Sequence, residues 1–472
     1  MEKIKFGTDG WRAIIAKEFT VENVARVSEA CANWLLKNHK SPVVIVGHDV
    51  RFGGELFAET VTKVLVGKGV KVLLAKGFVS TPMISLGAVN HKCDLGIIIT
   101  ASHNPPSYNG FKLKGAYGGP LKPSMVQEIE DMIPDKCSLN YETSSMEDLM
   151  KKSMLSYVDL EGEYISHVEK NFDLKAIRNS GLHFAYDAMY GSGQNVMKKL
   201  FPDIIKLHCD YNPGFMGQAP EPIHKNLTEF SEMIRNNGTI DCGLVTDGDA
   251  DRIGMYDGKG DFIDSHHIIL LLIHYLVKYK GMKGKVCTAF STTPKVEKLC
   301  KHYGLPMETV KIGFKYICEI MITEDVLLGG EESGGIAIKN HIPERDGIWM
   351  GLVIWEFMAK SGKKLNDLIK EIYEIVGPFS FERNDMHLKE EIKNTIVKNT
   401  ANNAYSAFGK YKIHRIEDLD GYKYFFDDTN SEWLLIRASG TEPVLRAYAE
   451  SPTRNGALEI LKAAENTLLN SN

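Results

Sequence analysis

The chain has 472 residues, of which 43% are hydrophobic and 25% are charged, and its formal net charge is −5. This composition is typical of a globular protein of about three domains, and it gives no electrostatic argument for binding nucleic acid. The longest purely aliphatic run, residues 268–273, is far shorter than the roughly 20 residues of a membrane span. We therefore expect neither a nucleic acid nor a membrane as a partner.

The cysteines and the N-terminal residues indicate the cellular compartment in which the protein is expected. The eight cysteines occur singly, without a C-x-x-C pair, so neither a zinc site nor a disulfide framework is indicated. The first residues run into a glycine-rich polar loop without the apolar core of a signal peptide. Reduced thiols and a cytoplasmic location are therefore expected.

The first block of the chain alternates between strand and helix patterns. A strand that ends in polar residues is predicted at 42–51, apolar strands at 70–75 and 95–99, and helices at 55–68 and 82–89. This alternation favours a parallel sheet with crossover helices. A polar region without glycine between Gly119 and Gly162 then suggests a change of domain.

Two further blocks repeat the plan of an apolar strand followed by a loop of Gly, Asp or Ser, and the last block differs. The predicted strands and helices of these three blocks lie at 182–187, 195–200, 242–246, 286–290, 326–328, 348–358, 424–426, 433–436, 444–449 and 455–469. The final block is a smaller α+β unit. We therefore predict four domains, at 1–155, 156–262, 263–377 and 378–472.

Residues 100–105 (TASHNP) directly follow the apolar strand 95–99. Ser102 is thereby predicted at the carboxyl end of a strand, where open α/β sheets bind ligands. Serine is a weak nucleophile until it is activated, and His103 and Lys112 can handle protons or pair with a phosphate. By itself the stretch fits equally well a helix cap at Ser102 or Asn104, with a proline near the first helical position.

Asp247, Asp249 and Asp251 alternate along a second loop. In an extended loop this spacing can turn three carboxylates toward one cation, and hard oxygen ligands suit Mg²⁺ or Ca²⁺. An EF-hand is excluded, because its sixth and twelfth positions are here Arg252 and Gly258. A solvated acidic turn or a phosphatase loop remains open, although an arginine after the third acid favours a metal site that meets a phosphate.

Two more loops carry polar groups beside glycines. Residues 437–441 (RASGT) combine a guanidinium, two hydroxyls and a glycine, which is how a phosphate nest is built. Residues 330–334 (GEESG) offer carboxylates that can accept hydrogen bonds from sugar hydroxyls. Either loop, alone, would also fit an ordinary exposed turn.

Together with residues 6–12 (FGTDGWR), these four loops resemble the α-D-phosphohexomutase family over the whole chain. The resemblance implies an α/β fold of four domains around a central cleft. Three α/β domains with mixed or parallel sheets would be followed by a C-terminal α+β domain that binds phosphate. It also implies an enzyme that interconverts hexose 1-phosphate and hexose 6-phosphate through a phosphoserine and a bisphosphorylated sugar.

The resemblance implies roles for individual residues. One Mg²⁺ per chain would be held by the phosphorylated Ser102 with Asp247, Asp249 and Asp251. The catalytic residues would be Ser102, His103, Lys112, Arg12 and Arg252, with His103 or Lys112 as the general acid/base. The substrate-binding residues would be Lys315, Glu331, Ser333, Arg345, Arg437, Ser439, Gly440 and Thr441. Glucose 1,6-bisphosphate would be the activator and intermediate.

One departure from the family pattern bears on the sugar. Gly335 stands where family members acting on mannose and glucose phosphates, or on glucosamine phosphate, usually have a histidine. Residues 313–315 and 331–333 look more like phosphoglucomutases, whereas residues 6–12 and the compact chain look like bacterial mannose and glucosamine members. Glucose phosphate is therefore expected first and mannose phosphate second, with glucosamine and pentose phosphates open.

Two other classes of function compete with a mutase. A metal-dependent sugar-phosphate phosphatase need not hold a second phosphate, so the Arg437 loop argues against it. A non-catalytic sugar-phosphate sensor would not need Ser102 together with all three aspartates and both arginines. In each case the partner is a small phosphosugar, and a monomer or a homodimer is expected.

Overall fold

The computed structural model describes residues 3–438 and 444–470. The chain packs as two compact units, one formed by Met1–Lys285 with Gly313–Leu368 and the other by Val286–Ile312 with Ile369–Asn472. Among the described residues, no helix combines the length and the apolar character needed to cross a membrane.

The first part of the chain forms an α/β sheet with its helices. In chain order its elements are β1 (Trp11–Ile14), α1 (Val21–Asn38), β2 (Val43–His48), α2 (Gly54–Gly67), β3 (Lys71–Ala75), α3 (Thr81–Asn90), β4 (Leu95–Ile99), β5 (Tyr108–Gly115), α4 (Pro123–Asp131), α5 (Met146–Lys151), β6 (Leu155–Val158), α6 (Leu160–Asn171) and α7 (Leu174–Arg178). The sheet order is β1-β5-β4-β2-β3-β6.

This first sheet is mixed. The neighbours β4, β2, β3 and β6 pair in parallel, as the alternation of strands and helices predicted. In contrast, β5 pairs antiparallel with both β4 and β1. The reason is the short connection between β4 and β5, because a parallel pair needs a crossover of a dozen or more residues. The sheet also extends through β6 to Val158, just beyond the limit of 155 predicted for the first domain.

The next sheet is built in the same way. Its elements are β7 (Phe184–Asp187), α8 (Gln194–Leu200), β8 (Ile205–Leu207), α9 (Thr228–Asn237), β9 (Cys242–Thr246), β10 (Ile253–Asp257) and β11 (Phe262–Ile263). The order is β11-β10-β9-β7-β8, with β7 parallel to β8 and β9 and with β10 antiparallel to β9 and β11. The acidic loop 247–252 therefore connects the two strands of a β9–β10 hairpin.

The following elements are divided between the two units. They are α10 (Ser265–His274), β12 (Lys285–Ala289), α11 (Lys295–Tyr303), β13 (Met307–Val310), α12 (Phe314–Met321), β14 (Val326–Gly330), β15 (Ile336–Ile338), α13 (Gly347–Ser361) and α14 (Leu365–Val376). In the first unit β14 pairs antiparallel with β15, and in the second β12 pairs in parallel with β13. The aliphatic run 268–273 is a fully buried part of α10.

The C-terminal part is an antiparallel sheet with two helices, in agreement with the α+β prediction. Its elements are β16 (Ser380–His387), α15 (Glu390–Ala401), β17 (Ala407–Phe408), β18 (Tyr411–Lys412), β19 (Arg415–Glu417), β20 (Tyr422–Phe425), β21 (Trp433–Ala438), β22 (Val444–Ser451) and α16 (Arg454–Asn470). The strand order is β16-β22-β21-β20-β19. Its core contains Tyr424, Leu434 and Ile460, all fully buried.

Candidate active site

Ser102 lies in the loop that leads from the fully buried strand β4 into β5, so it does not cap a helix. The residue is 1% exposed, and its φ of +51° is rare for a residue other than glycine. Its Oγ donates a hydrogen bond to Asp247 Oδ2 at 2.6 Å and lies 3.3 Å from His103 Nδ1. The serine hydroxyl is therefore held against the acidic loop.

The three aspartates of the acidic loop are completely buried. One carboxylate oxygen from each can be chosen so that all lie within 4.8 Å of one another, and among the described residues only Asp247, Asp249 and Asp251 form such a group of potential metal ligands. Asp249 Oδ1 and Asp251 Oδ1 have no hydrogen-bond partner within the described part of the chain. Buried, unpartnered carboxylate oxygens fit a divalent cation such as Mg²⁺.

The electrostatics of Asp247 agree with this fit. Burial and the negative charges of Asp249 and Asp251 raise the pKa of Asp247 well above its usual value. Asp249 differs because it has partners. Burial acts to raise its pKa, but the ammonium of Lys112 and a hydrogen bond from Thr81 hold that pKa below the usual range. A cation between these carboxylates would offset the repulsion that disfavours the ionised form of Asp247.

Strand β5 supplies two buried lysines. Lys112 and Lys114 lie on one face of the strand because side chains alternate along it, and both are fully buried. Lys112 Nζ lies 2.8 Å from Asp249 Oδ2, 3.0 Å from Asp251 Oδ2 and 2.9 Å from Asp9 Oδ2. Burial acts to lower the pKa of Lys112, but these three carboxylates raise it above its usual value. Its ammonium therefore stays charged.

Two arginines lie near the serine. Arg12 Nη1 donates to Asn104 Oδ1 at 2.7 Å, and the backbone N–H of Arg252 donates to Asp247 Oδ1 at 3.1 Å. Burial and the positive charges of Arg252, Arg12 and Lys112 hold the pKa of His103 well below its usual value. His103 is therefore a neutral imidazole with cationic side chains nearby.

The loop between β14 and β15 approaches the acidic loop. Its Gly334 carbonyl accepts a hydrogen bond from the Ile253 N–H at 3.1 Å. Glu331 is 5% exposed, and burial raises its pKa to about 7 although Arg345 acts in the opposite direction. Ser333 in the same loop is partly buried. A carboxyl and a hydroxyl are thus available beside the acidic loop.

Arg345 occupies the space next to Gly335. A Cβ at Gly335 would lie 2.5 Å from Arg345 Cδ, so any larger residue requires the arginine to move. The Arg345 guanidinium lies 2.5 Å from Asp9 Oδ2 and 2.9 Å from Asp251 Oδ2, and it covers the ring of Phe314 at 5.3 Å. Its charge is therefore engaged by acidic side chains of two different loops.

Lys315 lies at the start of α12 and lines a cavity of about 170 Å³ with residues 6–10 and Glu130. Its Nζ lies 5.4 Å from the centre of the Tyr316 ring. Asp9 is one of the residues that line this cavity.

The predicted phosphate nest belongs to the other unit. Arg437 lies in β21, and its Nε donates to Asp420 Oδ1 at 3.2 Å. Asp420 Oδ2 accepts a hydrogen bond from the Ile312 N–H at 2.9 Å. The remaining predicted members of the nest, Ser439, Gly440 and Thr441, lie outside the described residues.

Several residues that order this site were not identified from the sequence. Asp9 binds Lys112 and Arg345, and these cations hold its pKa well below the usual range although burial acts to raise it. Glu344 pairs with Lys114 at 2.6 Å, and both are fully buried. The alternation of two lysines along an otherwise apolar strand was a signal that acidic partners would be needed. Which acids they meet cannot be seen without the fold.

Four family profiles match the chain, each covering one domain. They describe phosphoglucomutase/phosphomannomutase α/β/α domains I, II and III, at residues 3–138, 162–260 and 264–376, and the C-terminal domain at residues 410–466. The matches occur in the order expected for four domains. The predicted limits between the domains stay predictions.

Curated relatives resemble the chain over nearly its whole length. A phosphoglucomutase/phosphomannomutase of Thermococcus kodakarensis is 29% identical, covering 97% of this chain and 96% of that protein. A phosphoglucosamine/phosphogalactosamine mutase of Sulfurisphaera tokodaii is 30% identical over 96% of both chains. A phosphoglucosamine mutase of Methanocaldococcus jannaschii is 30% identical, over 97% of this chain and 96% of that one.

Solved structures show the same four-domain fold. The crystal structure of a phosphomannomutase-family protein from Thermus thermophilus matches with a TM-score of 0.87 and 31% identity, over 99% of both chains. A phosphoglucomutase from Paramecium, parafusin, matches with a TM-score of 0.82 at 20% identity, over 98% of this chain and 94% of that one.

Proposed function

The chain belongs to the α-D-phosphohexomutase family of phosphoglucomutases and phosphomannomutases, and on that premise we propose that it interconverts glucose 1-phosphate and glucose 6-phosphate. Ser102 would carry the phosphoryl group between turnovers. It would transfer this group to the free hydroxyl of the sugar monophosphate and take the other phosphate back from the bisphosphate. That the chain is a hexose-phosphate mutase follows from the family; the sugar and the residue roles are proposals.

The observation that carries the proposal is the contact between Ser102 and the acidic loop. Ser102 Oγ lies 2.6 Å from Asp247 Oδ2, and two further buried carboxylate oxygens, Asp249 Oδ1 and Asp251 Oδ1, accept no hydrogen bond from any described residue. A serine at this place can hold a phosphate whose oxygen completes a set of hard ligands. Nucleophilic residues become effective when adjacent groups or a metal activate them.

We propose one Mg²⁺ per chain as the cation, held by Asp247, Asp249, Asp251 and an oxygen on Ser102. When bound, the cation would neutralise part of the phosphate charge and make phosphorus more electrophilic. The family is metal-dependent, and the small oxygen-only donor set supports Mg²⁺ over zinc.

The nearby cations would stabilise charge on the transferring group. Arg12 and Arg252 lie next to the Ser102 and Asp247 loops and can each donate several hydrogen bonds to phosphate oxygens. We propose the same electrostatic role for Lys112, because the three carboxylates around its ammonium keep it positively charged.

His103 is our candidate for the proton transfer. Its Nδ1 is 3.3 Å from Ser102 Oγ, and the side chain is only partly buried, so it can meet a substrate hydroxyl. A neutral imidazole can accept the proton of the attacking hydroxyl and return it to the leaving oxygen. Lys112 was the other predicted acid/base. Because the surrounding carboxylates keep its ammonium protonated, we favour His103.

Glu331 and Ser333 are proposed to hold sugar hydroxyls, since both lie on the loop that contacts the acidic loop. Arg437 with Ser439, Gly440 and Thr441 would grip the phosphate that is not being transferred. For Lys315 and Arg345 substrate contact stays a prediction. The existing pairing of Arg345 with Asp9 and Asp251 supports a role in ordering the site.

The sugar preference rests on one feature of the sugar loop. Gly335 has no side chain, and Arg345 fills the adjoining space, so the loop offers Glu331 and Ser333 without a third polar group at position 335. This supports glucose phosphate first and mannose phosphate second. Glucosamine phosphate is a further candidate after these two, because two relatives that are 30% identical are named as mutases of phosphoglucosamine. Pentose phosphates are the remaining candidate substrates.

The decisive experiment measures phosphate on Ser102. Purified protein is incubated with glucose 1,6-bisphosphate and Mg²⁺, its intact mass is measured, and the phosphate is mapped by fragmentation, with S102A as the control. We expect one exchangeable phosphoryl group on Ser102 and then ranked kcat/KM values for glucose, mannose, glucosamine and ribose 1-phosphates. A serine that stays unphosphorylated in excess bisphosphate contradicts the mechanism and favours a sensor. Release of inorganic phosphate without isomerisation favours a phosphatase.

A further inference from the structure

Arg51 is buried directly behind the loop that carries Ser102. The residue is 1% exposed and follows strand β2. Its Nη2 donates to the carbonyl oxygens of Ser102 and Asn104, both at 2.6 Å. Its Nη1 donates to the carbonyl oxygens of Pro105 and Tyr108 at 2.9 and 3.1 Å. One guanidinium thus binds three carbonyl groups of the Ser102 loop and the carbonyl of Tyr108, the first residue of β5.

Arg51 is itself fixed from its other sides. Asp49 Oδ2 lies 3.4 Å from Arg51 Nε and accepts the hydroxyl hydrogen of Thr100 at 2.5 Å. The ring of Phe215, which is 2% exposed, covers the guanidinium at 4.9 Å. A cation held by a carboxylate, an aromatic face and four carbonyls has one orientation available to it.

The loop needs such support because the backbone conformation at Ser102 is unfavourable by itself. The φ of +51° at Ser102 puts a side-chain-bearing residue in the left-handed region, which persists only where surrounding contacts impose it. The Ser102 carbonyl also closely approaches the acidic loop, since a Cβ at Gly248 would lie 2.5 Å from its oxygen. The peptide after Ser102 is therefore located by Arg51 on one side and by the acidic loop on the other.

We propose that Arg51 is a positioning residue for phosphoryl transfer, whose forked guanidinium holds the Ser102 loop so that Oγ faces Asp247. The proposal rests on the proposed function in one respect, that Ser102 is the phosphate carrier. Arg51 itself is paired with backbone carbonyls and has no role in binding the sugar. It acts on the transfer step through the conformation of the loop.

The fork is the property that matters. A guanidinium presents two terminal nitrogens in a plane and can serve two carbonyls with each, whereas a lysine ammonium is a single point with three donors. R51K keeps the positive charge and loses the fork, and R51M loses both. If positioning is the role, both variants lose the transfer step to a similar extent. A misplacement of about 1 Å in a reacting group can slow a reaction about 100-fold.

A matched control is available at Arg26. This residue is 4% exposed and lies in α1, and its guanidinium donates to the Pro134 carbonyl at 2.7 Å and to Asn23 Oδ1 at 2.8 Å. R26M therefore removes a buried guanidinium of the same size whose hydrogen bonds do not involve the Ser102 loop. A general loss of stability would affect R26M and R51M alike.

The experiment follows single-turnover transfer from phosphorylated Ser102 to glucose 1-phosphate by rapid quench, together with steady-state kcat and KM. We expect transfer and kcat to fall about 100-fold in R51M and R51K, while KM and the R26M rates stay within about threefold of wild type. Transfer by R51K or R51M within threefold of wild type overturns the proposal. A rise in KM of the same size as the fall in transfer also overturns it, because Arg51 would then act on substrate binding.

D49N provides a second route if the Arg51 variants do not fold. It keeps the size of the side chain that holds Arg51 Nε and removes its charge, so we expect the same pattern at about one tenth of wild-type transfer with KM unchanged. An unchanged transfer rate in folded D49N counts against the proposal. A wild-type protein that never acquires phosphate on Ser102 overturns the proposed function and this inference together. Normal wild-type phosphorylation with normal R51K transfer overturns this inference alone.

Discussion

Arg345 Nη2 lies 2.5 Å from Asp9 Oδ2, although 336 residues separate the two along the chain. Asp9 Oδ2 also forms an ion pair with Lys112 Nζ at 2.9 Å. One carboxylate near the N-terminus thus holds two buried cations that in turn contact Asp251 of the acidic loop. Asp9 is therefore expected to order the site, although the family resemblance of residues 6–12 gave it no role.

Replacing Asp9 with asparagine tests this role. D9N leaves Lys112 and Arg345 buried with less negative charge around them, and breaking a buried ion pair typically costs about 3–5 kcal/mol. We expect the free energy of unfolding, measured by urea denaturation, to fall by about 3 kcal/mol, and kcat to fall with it.

A suitable control for D9N is E18Q, which removes a carboxylate from the same part of the chain. Glu18 pairs with Lys17 at 3.0 Å in a setting where the lysine side chain is 70% exposed. Exposed pairs contribute little, so E18Q should resemble wild type in both stability and kcat. Equal stability of D9N and E18Q would show that the Asp9 pairs are dispensable.

Cation binding should be visible without any assay of activity. A ligand that binds only the folded state stabilises it by about 2.7 kcal/mol at 100 times its Kd, so Mg²⁺ should raise the melting temperature of the protein. D251N removes one of the three carboxylates and should abolish most of this shift, whereas D187N, at a buried aspartate of the neighbouring strand β7, should retain it. A full shift in D251N would place the cation elsewhere. Removing the metal with EDTA should stop turnover.

Glu331 should make stability fall as the pH rises. Burial raises its pKa from 4.5 to about 7, so between these values the folded protein holds a proton that the unfolded chain has released. The free energy of unfolding should therefore decline by up to about 3 kcal/mol from pH 4.5 to 7 relative to E331Q, which cannot titrate. Urea denaturation of both proteins across this range measures the difference. Parallel pH curves would mean that the pKa of Glu331 is the same in the folded and the unfolded protein.

The same E331Q protein should be a poorer enzyme. A hydrogen bond from a sugar hydroxyl to a carboxylate contributes about 1.5–3 kcal/mol, and an amide accepts it less strongly. We therefore expect KM for glucose 1-phosphate to rise about 10-fold or more in steady-state assays at pH 8. A variant that is both more stable at this pH and as active as wild type would remove Glu331 from the sugar site.

Glu29 should have the opposite pH dependence. Burial acts to raise its pKa, but hydrogen bonds from Lys68 and Ser138 lower it from 4.5 to about 2. The stabilisation is therefore complete above pH 4.5 and is lost as the pH falls toward 2, by up to about 3 kcal/mol. The difference in unfolding free energy between wild type and E29Q should shrink over that window, with kcat at pH 7 unaffected. If that difference in unfolding free energy does not depend on pH, the effect of E29Q arises from packing and not from the charge of Glu29.

Local patterns predicted much of the secondary structure. The strand at 95–99 was predicted at the same bounds as β4, because five consecutive apolar residues bounded by polar ones can satisfy burial as a strand. The helix predicted at 55–68 is α2, which begins and ends one residue earlier. The orientation of β5 was not predicted, since strand direction depends on how the chain connects and packs.

Local chemistry also indicated part of the site. Ser102 and the three aspartates were identified from their own loops, and the fold brings their oxygens together. Arg51 was not identified, because an arginine that follows a strand is usually at the surface and nothing in the local sequence shows that this one is buried. The carbonyl groups to which it donates belong to residues more than fifty positions away.

The sequence by itself indicated many of the strands and helices, the family that the chain resembles, and the loops that carry Ser102, the three aspartates and Glu331. These properties are local, because they depend on hydrophobic period and on the residue types of single loops. Only the tertiary structure decided that Lys112 lies between Asp9 and Asp249, that Arg345 fills the space beside Gly335, and that Arg51 supports the Ser102 loop. The physical reason is that a buried charge needs an opposite charge or a carbonyl group, and the packing of the sheets selects which one it meets.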